Sequence, residues 1–327
     1  MASPWDGERM VPRPEDCPVA AVPFRKDLVR RTAWLEYAAL RITQRFLGGL
    51  PAPLQDPLLA GLARLGRAVD HRHAKPARDF IRTALPGATD RDVERLVLQA
   101  YRHLARVAVE SDRLPGLVGA RLGDHYDVET CAGLEELVGS GRGCIVLTAH
   151  VGFWEGVGLP MLALGYRMGV AVGKPPNNPY LARYIQRSRE AQGAVLLPRD
   201  GALAGVSATV RAGGIAVLLL DQRPRAKPVQ VEFFGRPAAC DRAAAVLVRR
   251  VGAPILVTGC YLTPERRRYR LVFQSVIRPE ELAGASPRQV IARVNREIEA
   301  LVLRCPEQYF WLHDRFKGMP PAPRTEA

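Results

Sequence analysis

The chain has 327 residues, of which 47% are hydrophobic and 24% are charged. This length allows one large domain or two of ordinary size, and the hydrophobic content excludes a largely disordered chain. Lysine and arginine outnumber aspartate and glutamate by 47 to 33, which gives a formal net charge of +14. A basic surface of this kind attracts polyanions such as nucleic acid, anionic lipid or an acidic carrier protein. Because the arginine–aromatic–glycine pattern of single-strand-binding segments is missing, we do not expect nucleic acid to be a partner.

Cysteine spacing and hydropathy describe the environment of the chain. No two of the six cysteines form a CxxC pair, so we predict reduced thiols in an intracellular protein and no zinc site. The polar residues 1–17 do not form a secretory signal. No stretch reaches the ~18–20 apolar residues of a membrane-spanning helix. These features predict a protein that is not integral to a membrane but is able to lie on one.

The first part of the chain is predicted to be helical. Residues 1–26 are proline-rich and charged, which predicts a disordered leader. Arginines and aromatic residues interleave over 27–50, which predicts an amphipathic helix with two open interpretations. The helix either packs on the protein core or lies at the interface of an anionic membrane. Further helices are predicted over 56–66, 76–84 and 90–109, so that 27–125 forms a helical region. The Asp70-His71-Arg72-His73 run is interpreted as an exposed helix end, since no further residues complete a set of metal ligands.

From residue 126 onward, strand patterns alternate with helix patterns. We predict strands over 143–149, 168–173, 194–198, 215–220, 229–234, 254–262 and 269–277. We predict helices over 132–138, 154–164, 179–192, 202–212, 241–251 and 286–303. Such alternation is typical of an α/β fold with a mostly parallel mixed sheet flanked by helices. This domain is predicted to span 126–318, followed by a disordered tail over 319–327.

The stretch from Gly143 to Pro160 carries the clearest chemical signal. Its buried strand ends just before His150, and a turn containing Gly152 leads to Glu155 on the following helix. Ligands of open α/β sheets bind at the carboxyl ends of strands. A histidine with a nearby carboxylate can act as a general base. Because the chain has no GxSxG motif, the nucleophile is predicted to be a substrate, for instance an alcohol. The spacing by itself also fits a histidine that merely caps a strand end.

A family resemblance adds to this interpretation. The segment Thr148-Ala149-His150-Val151-Gly152-Phe153-Trp154-Glu155 resembles the S/T-A-H-F-G-N-W-E block of the bacterial late lipid A acyltransferases, the lauroyl/myristoyl acyltransferase family. These enzymes belong to the wider lysophospholipid and glycerol-phosphate acyltransferases, which share an H-x4-D/E motif. Three further blocks resemble the family in the same order, over 173–193, 221–238 and 306–317. The resemblance covers about 60–318 and implies the glycerol-phosphate acyltransferase-like form of the α/β fold.

The resemblance implies roles for individual residues. His150 would be the general base on the acceptor hydroxyl, and Glu155 would orient His150 and stabilise its charge. Arg189 would bind an anionic headgroup or donor phosphate, with Arg187 able to share or replace that role. A surface helix arginine is the alternative interpretation of Arg189. Lys174 stands where the family usually has arginine, and is predicted to contact substrate.

Two later segments also receive roles from the resemblance. The segment Phe233-Phe234-Gly235-Arg236 would close the pocket, with Gly235 at substrate and Arg236 as a second phosphate ligand. A group near the C-terminus is predicted to hold that end onto the sheet, namely Glu307, Gln308, Trp311 and His313. The chain departs from the family pattern at Phe153, where asparagine is usual beside the base, and at 240–243, where T-P-T-G is common. Phe153 is therefore also a predicted substrate contact.

Taken together, these residues predict an O-acyltransferase. It would move a fatty acyl group from acyl carrier protein or coenzyme A to a hydroxyl of a membrane glycolipid, a lipid A-like precursor or a lysophospholipid. No metal or cofactor is expected. The basic charge and the helix at 27–50 predict a peripheral protein on the cytoplasmic face of the bacterial inner membrane. The alternatives are an acyl thioesterase and a non-catalytic, basic lipid-binding protein.

Overall fold

The computed structural model describes residues 32–166, 169–173, 176–198, 201–224, 228–265 and 267–320. The predicted leader at 1–26, Lys174 and the end of the predicted tail lie outside the described residues. All five cysteines within the described ranges are free thiols, as the sequence predicts.

Four helices precede the sheet, in agreement with the prediction. They are α1 (Ala33–Gly49), α2 (Ala52–Val69), α3 (His71–Ala84) and α4 (Asp90–Ser111). Helix α4 begins at a capping box, in which Thr89 and Asp92 satisfy each other's backbone N–H groups. The side chain of Asp70 caps α3 by accepting from the amide of His73, so the run at 70–73 is a helix start, as predicted. Helices α2 and α3 begin earlier than predicted because Pro57 and Pro76 lie inside them rather than at their starts.

The α/β part contains six helices and nine strands among the described residues. The helices are α5 (Leu134–Gly139), α6 (Gly158–Ala163), α7 (Pro179–Glu190), α8 (Ala202–Arg211), α9 (Ala243–Val251) and α10 (Pro287–Arg304). The strands are β1 (Tyr126–Glu129), β2 (Cys144–Thr148), β3 (Gly169–Val172), β4 (Ala194–Leu197), β5 (Ile215–Leu219), β6 (Val229–Phe233), β7 (Arg236–Cys240), β8 (Ile255–Leu262) and β9 (Tyr269–Ile277).

Seven of these strands form one mixed sheet in the order β1-β9-β8-β2-β5-β3-β4. Strands β8, β2, β5, β3 and β4 pair in parallel, whereas β8 and β9 form the predicted antiparallel hairpin. The predicted mostly parallel mixed sheet flanked by helices is therefore confirmed. Strand β2 has a parallel neighbour on each side, and all five of its residues are buried. Burial on both faces explains why its sequence is a continuous apolar run.

The two faces of β2 enter different parts of the core. Ile145 and Leu147 pack in a cluster that includes Phe80 of α3 and Val97 of α4. Cys144 and Val146 point to the other face and join a cluster with residues of α6. The strand's two-residue period produces this division. The helical region and the sheet thus share apolar packing, which holds α3 and α4 against the strands that carry the site.

Three local predictions differ from the structure. The helix predicted from residue 154 begins as a short 3₁₀ turn, Trp154–Val157, before α6. Strand β1 lies just before the predicted α5 and is absent from the predicted strands. Strand β7 is absent from the predicted strands; it begins at Arg236, the last residue of the segment predicted to close the pocket, and pairs with β6 in a separate two-stranded sheet. Within the ranges described, no helix has both the length and the apolar character required to cross a membrane.

Candidate active site

The site lies where two neighbouring parallel strands end. Strands β2 and β5 pair with Thr148 opposite Leu219. His150 follows Thr148 by two residues, and Asp221 follows Leu219 by two residues. The matched register therefore brings these two side chains to the same edge of the sheet, although 71 positions separate them in the chain. This is the carboxyl edge, where ligands of open α/β sheets bind.

His150 is held by Asp221 through two hydrogen bonds. The imidazole Nδ1 lies 2.8 Å from Oδ1 of Asp221, and the backbone N–H of His150 donates to Oδ2 over 3.1 Å. The hydroxyl of Tyr309 donates to the same Oδ2 over 3.2 Å. Burial alone would raise the pKa of Asp221, but the charge of His150 and the hydrogen bonds outweigh it and hold the pKa below its ordinary value. An ionised Asp221 only accepts hydrogen bonds, so in the neutral form of His150 the proton is on Nδ1 and Nε2 keeps its lone pair.

The backbone that carries His150 is fixed from three sides. Gly152 has a φ of +57°, and a Cβ there would collide with the backbone carbonyl of Cys260. The amide of Gly152 donates to the carbonyl of Gln308 over 2.7 Å, and the carbonyl of Gly152 lies 2.9 Å from Nε2 of the buried His103. The amide of Phe310 donates to the carbonyl of His150 over 3.0 Å. Glycine is required at 152 by both its positive φ and this close approach.

Glu155 does not make the direct contact with His150 that its predicted orienting role requires. Its two carboxylate oxygens accept from Nη2 and Nε of Arg189, over 2.8 and 3.1 Å. The pair is bidentate and mostly buried, with 18% of the Glu155 side chain and 23% of the Arg189 side chain exposed. Burial alone would raise the pKa of Glu155, but Arg189 together with the nearby His150 holds it below its ordinary value. The orienting contact is made by Asp221, the first residue of the family block at 221–238, for which no role was predicted.

A cleft of about 390 Å³ opens beside the histidine. His150, Glu155, Arg189, Gln192 and Gln222 supply its polar side chains, and the remainder of the lining is mostly apolar. The other residues that line it are Trp154, Val157, Gly158, Ala171, Val172, Gly173, Ile185, Ala194, Val217 and Leu219. The amide nitrogen of Gln222 lies 3.5 Å from Nε2 of His150. The cleft is thus mostly apolar, and its polar lining consists of a histidine, an ion pair and two side-chain amides.

Several predicted substrate contacts lie elsewhere. Phe153 is fully buried, and its ring stacks on Tyr269 with centroids 5.0 Å apart, so it belongs to the core. Arg187 is exposed and does not line the cleft. Lys174 lies outside the described residues.

Arg236 and Gly235, predicted as a second phosphate ligand and a pocket residue, also lie away from the cleft. Arg236 is 5% exposed. Its guanidinium donates to Asp79 of α3 over 2.7 Å and to the carbonyl of Pro320 over 3.0 Å. Gly235, with a φ of +68°, forms the turn between β6 and β7. Both residues hold the small sheet in place, and neither lines the cleft.

The predicted anchoring of the C-terminal segment is confirmed for three residues. Gln308 exchanges two hydrogen bonds with the backbone of Leu262, over 2.9 and 2.8 Å. The ring of Trp311 is fully buried, and its Nε1 donates to the carbonyl of Pro306 over 2.7 Å. His313 accepts from the amide of Arg223 over 3.0 Å. In the part of the chain that the structure describes, no three His, Cys, Asp or Glu side chains converge as metal ligands would.

Fold and site together define an α/β protein in which a buried carboxylate orients a histidine at the edge of a mostly apolar cleft. Comparison with known sequences identifies the family of the protein. The chain belongs to the bacterial lipid A biosynthesis acyltransferase family, whose model matches residues 23–318. The protein is therefore an acyltransferase.

Three relatives illustrate the breadth of the similarity. The chain is 26% identical to the lipid A biosynthesis palmitoleoyltransferase of Escherichia coli K12, over 91% of this chain and 95% of the relative. It is 22% identical to the lipid A biosynthesis lauroyltransferase of the same strain, over 91% of this chain and 96% of the relative. It is 28% identical to a phosphatidylinositol mannoside acyltransferase of Mycolicibacterium smegmatis, over 54% of this chain and 58% of the relative.

Proposed function

We propose that this acyltransferase moves a fatty acyl group from a thioester to a hydroxyl of a membrane glycolipid such as a lipid A-like precursor. The thioester is carried by acyl carrier protein or coenzyme A. The observation that carries the proposal is a histidine with an accepting Nε2 at the polar part of an apolar cleft, held there by Asp221. Among the described residues that line this cleft, none is a serine, threonine, cysteine or lysine. The nucleophile is accordingly the acceptor hydroxyl.

The chemistry is a direct transfer with two proton movements. Nε2 of His150 takes the proton of the acceptor hydroxyl as its oxygen attacks the thioester carbonyl carbon. When the tetrahedral intermediate collapses, the C–S bond breaks and the imidazolium returns the proton to the leaving thiolate. Asp221 lowers the energy of the imidazolium and keeps Nδ1 protonated, which is the part that a triad carboxylate plays. The products are an ester and a free thiol.

The Glu155–Arg189 pair supports the donor side of the cleft. Glu155 accepts from Nε and Nη2 of Arg189, and Nη1 takes no part in this ion pair. Nη1 lies 3.9 Å from the position that a Cβ would take at Gly173, another residue of the lining. A guanidinium fixed in this way binds an anionic or developing negative oxygen without losing much side-chain freedom. Arg189 is therefore assigned to the donor phosphate or the thioester oxygen, and Glu155 to positioning it.

A membrane surface is the proposed location of the reaction. Helices α1 and α2 pack together and expose an unusual number of large apolar side chains. These are Trp34, Leu35, Ile42 and Phe46 on α1 and Leu54, Leu58, Leu62, Leu65 and Val69 on α2, each at least 40% exposed. Helix α1 also contacts α7, the helix that carries Arg189. Exposed apolar side chains on a protein of net positive charge favour binding to an anionic leaflet. We therefore place the enzyme peripherally on the cytoplasmic face of the inner membrane.

The decisive experiment follows acyl transfer from radiolabelled lauroyl thioester to a bacterial lipid extract. Wild-type protein is expected to label a lipid, and His150→Ala is expected to lose the transfer by at least about 10²-fold, the usual contribution of a general base. His125→Ala is the matched control, because His125 directly precedes β1, an edge strand of the sheet, and does not line the cleft. Transfer by His150→Ala at the wild-type rate would overturn the mechanism. Release of free fatty acid that added lipid does not suppress would instead identify a thioesterase.

A further inference from the structure

A second cleft opens beside Gln222. It has a volume of about 500 Å³ and lies between the start of α3 and the C-terminal segment. Gln222 lines both this cleft and the one that holds His150. Phe310, another residue of the second cleft, has its ring centroid 6.1 Å from that of His150. The second cleft therefore lies close to the imidazole of His150.

The second cleft carries three cations with no carboxylate partner. They are Arg72, Arg223 and Lys317, and across the described ranges none of the three forms an ion pair. By contrast, Arg67 of α2 and Arg78 of α3 share the carboxylate of Glu94. Two carboxylates also line the cleft, and one of them, Asp70, is engaged by Nδ1 of His73 over 2.8 Å. The cations are therefore available to an external anion.

The other polar and aromatic groups suit a sugar. Asp314 lines the cleft and offers carboxylate oxygens that accept hydrogen bonds from hydroxyl groups. Burial, with Arg223 contributing, lowers the pKa of His313 to about 4, so this ring is neutral at physiological pH. Its Nε2 is occupied by the amide of Arg223, which fixes the backbone next to Gln222. Phe310 and Tyr101 add apolar ring surface.

We propose that this second cleft binds the phosphorylated sugar headgroup of the acyl acceptor, with Arg72, Arg223 and Lys317 around the phosphate. The inference rests on the proposed function and adds where the acceptor sits. The acyl thioester enters through the apolar cleft, the headgroup enters through the basic cleft, and the two meet at Nε2 of His150 beside Gln222. Because both substrates reach the base at once, the acyl group passes directly from sulfur to the acceptor oxygen.

The test separates acceptor binding from donor binding. The donor is lauroyl-N-acetylcysteamine, a thioester without phosphate, and the acceptors are a lipid A precursor and the same lipid after phosphatase treatment. For Arg223→Gln/Lys317→Gln, we expect the KM for the phosphorylated acceptor to rise at least about tenfold, because charge-assisted hydrogen bonds are lost. The KM for the donor and the KM for the dephosphorylated acceptor are expected to stay within about twofold. Inorganic phosphate is expected to compete with the acceptor in the wild type and to lose that effect in the variant.

A matched control and three outcomes make the result decisive. Arg249→Gln removes an exposed arginine from the last turn of α9, away from both clefts, and is expected to behave as wild type. An unchanged KM for the phosphorylated acceptor would overturn the inference. A rise in the KM of a coenzyme A thioester, with the acceptor KM unchanged, would also overturn it by assigning the cations to the donor. Absence of any transfer by wild type would contradict the proposed function instead, while phosphate binding measured by calorimetry would still support the anion site.

Discussion

At the scale of single residues, Asp221 is the group that selects the tautomer of the His150 imidazole. Its carboxylate receives three donors, two from His150 and one from Tyr309, and is 2% exposed. Buried polar groups are costly unless hydrogen-bonded, so this arrangement is rigid as well as ionised. A rigid acceptor fixes one tautomer of the imidazole, which determines that Nε2 is the basic atom.

Replacing Asp221 by asparagine is expected to remove most of the activity. An asparagine amide donates to Nδ1 and so favours the tautomer whose Nε2 carries the proton and accepts none. By analogy with a triad carboxylate, kcat is expected to fall by about 10³–10⁴. Tyr309→Phe removes only one of the three donors and is expected to cost far less. Steady-state rates with one donor and one acceptor measure both variants, and equal losses in the two would refute the orienting role.

The Glu155–Arg189 pair gives a prediction about stability. In Arg189→Gln the Glu155 carboxylate stays buried without its partner, so the unfolding free energy at pH 7 is expected to fall by about 1–3 kcal/mol. The variant loses the two largest contributions that lower the pKa of Glu155, both from Arg189, so burial is expected to raise this pKa above the unfolded value. The destabilisation should therefore shrink as the pH falls and the carboxyl group becomes neutral.

A double-mutant cycle checks this coupling by urea unfolding. Glu155→Gln/Arg189→Gln removes both charges and is expected to be more stable than Arg189→Gln alone. Additive losses from the two single variants would show that the pair contributes no coupling. The same variants separate structure from chemistry, since a positioning role for Glu155 predicts that Glu155→Gln lowers activity even where the fold is intact.

At the scale of secondary-structure elements, helix α2 has apolar residues on two sides. Leu59 and Ala63 are buried, whereas Leu54, Leu58, Leu62, Leu65 and Val69 form an exposed stripe with three- and four-residue spacing. Such spacing places them along one face of the helix. Amphipathic character was predicted only over 27–50, where α1 exposes Trp34, Ile42 and Phe46. Burial of Ala33, Gln44 and Leu47 shows that this helix packs on the protein, whereas its contact with a membrane stays a prediction.

The exposed stripe of α2 is expected to bind lipid. Leu58→Glu/Leu62→Glu should reduce co-sedimentation with vesicles of phosphatidylethanolamine and phosphatidylglycerol several-fold, because two apolar contacts become charges that anionic lipid repels. Leu303→Glu is the matched control, since Leu303 is 48% exposed on α10. Equal loss of vesicle binding in both variants would show that the stripe has no special role. Unaltered thermal unfolding of the variants confirms that the fold is retained.

At the scale of the whole molecule, a buried histidine and a partly buried one are expected to make stability depend on pH. Burial lowers the pKa of His103 and of His313 to about 4 in each case. Between the ordinary histidine value and about pH 4, the unfolded chain binds protons that the folded protein does not. The unfolding free energy is therefore expected to fall as the pH falls through this window, by about 1.4 kcal/mol per pH unit for each such histidine.

Urea unfolding between pH 7 and pH 4 measures this dependence. His103→Gln removes one titrating group while its amide remains able to donate to the carbonyl of Gly152, so a shallower slope is expected. His71→Gln, at an exposed position, should leave the slope as in wild type. A His103→Gln slope identical to wild type would rule out His103 as a source of the acid sensitivity.

Local patterns predicted much of this protein. The apolar run of β2, its end before His150, and the alternation of strands with helices follow from side-chain period and burial along a few residues. The start of α10 was also predicted, because serine at the N-cap and proline at the first helical position are favoured, and Ser286 and Pro287 take these positions. The strand at 236–240 was not predicted, because it includes Pro237, a residue that strands disfavour. It also lies between a helix and an unusual turn in which Phe234 has a φ of +51°.

The partners of the key side chains depended on the tertiary structure. His150 meets Asp221 because β5 lies next to β2 with Thr148 opposite Leu219, and strand order follows from the packing of all helices and strands together. The same packing brings Glu155 into an ion pair with Arg189. It also stacks the buried ring of Phe153 on Tyr269 and brings Arg236 within hydrogen-bond distance of Asp79. A spacing of five residues from His150 to Glu155 is a property of one segment, whereas an ion pair or hydrogen bond goes to whichever group the fold brings within about 3 Å.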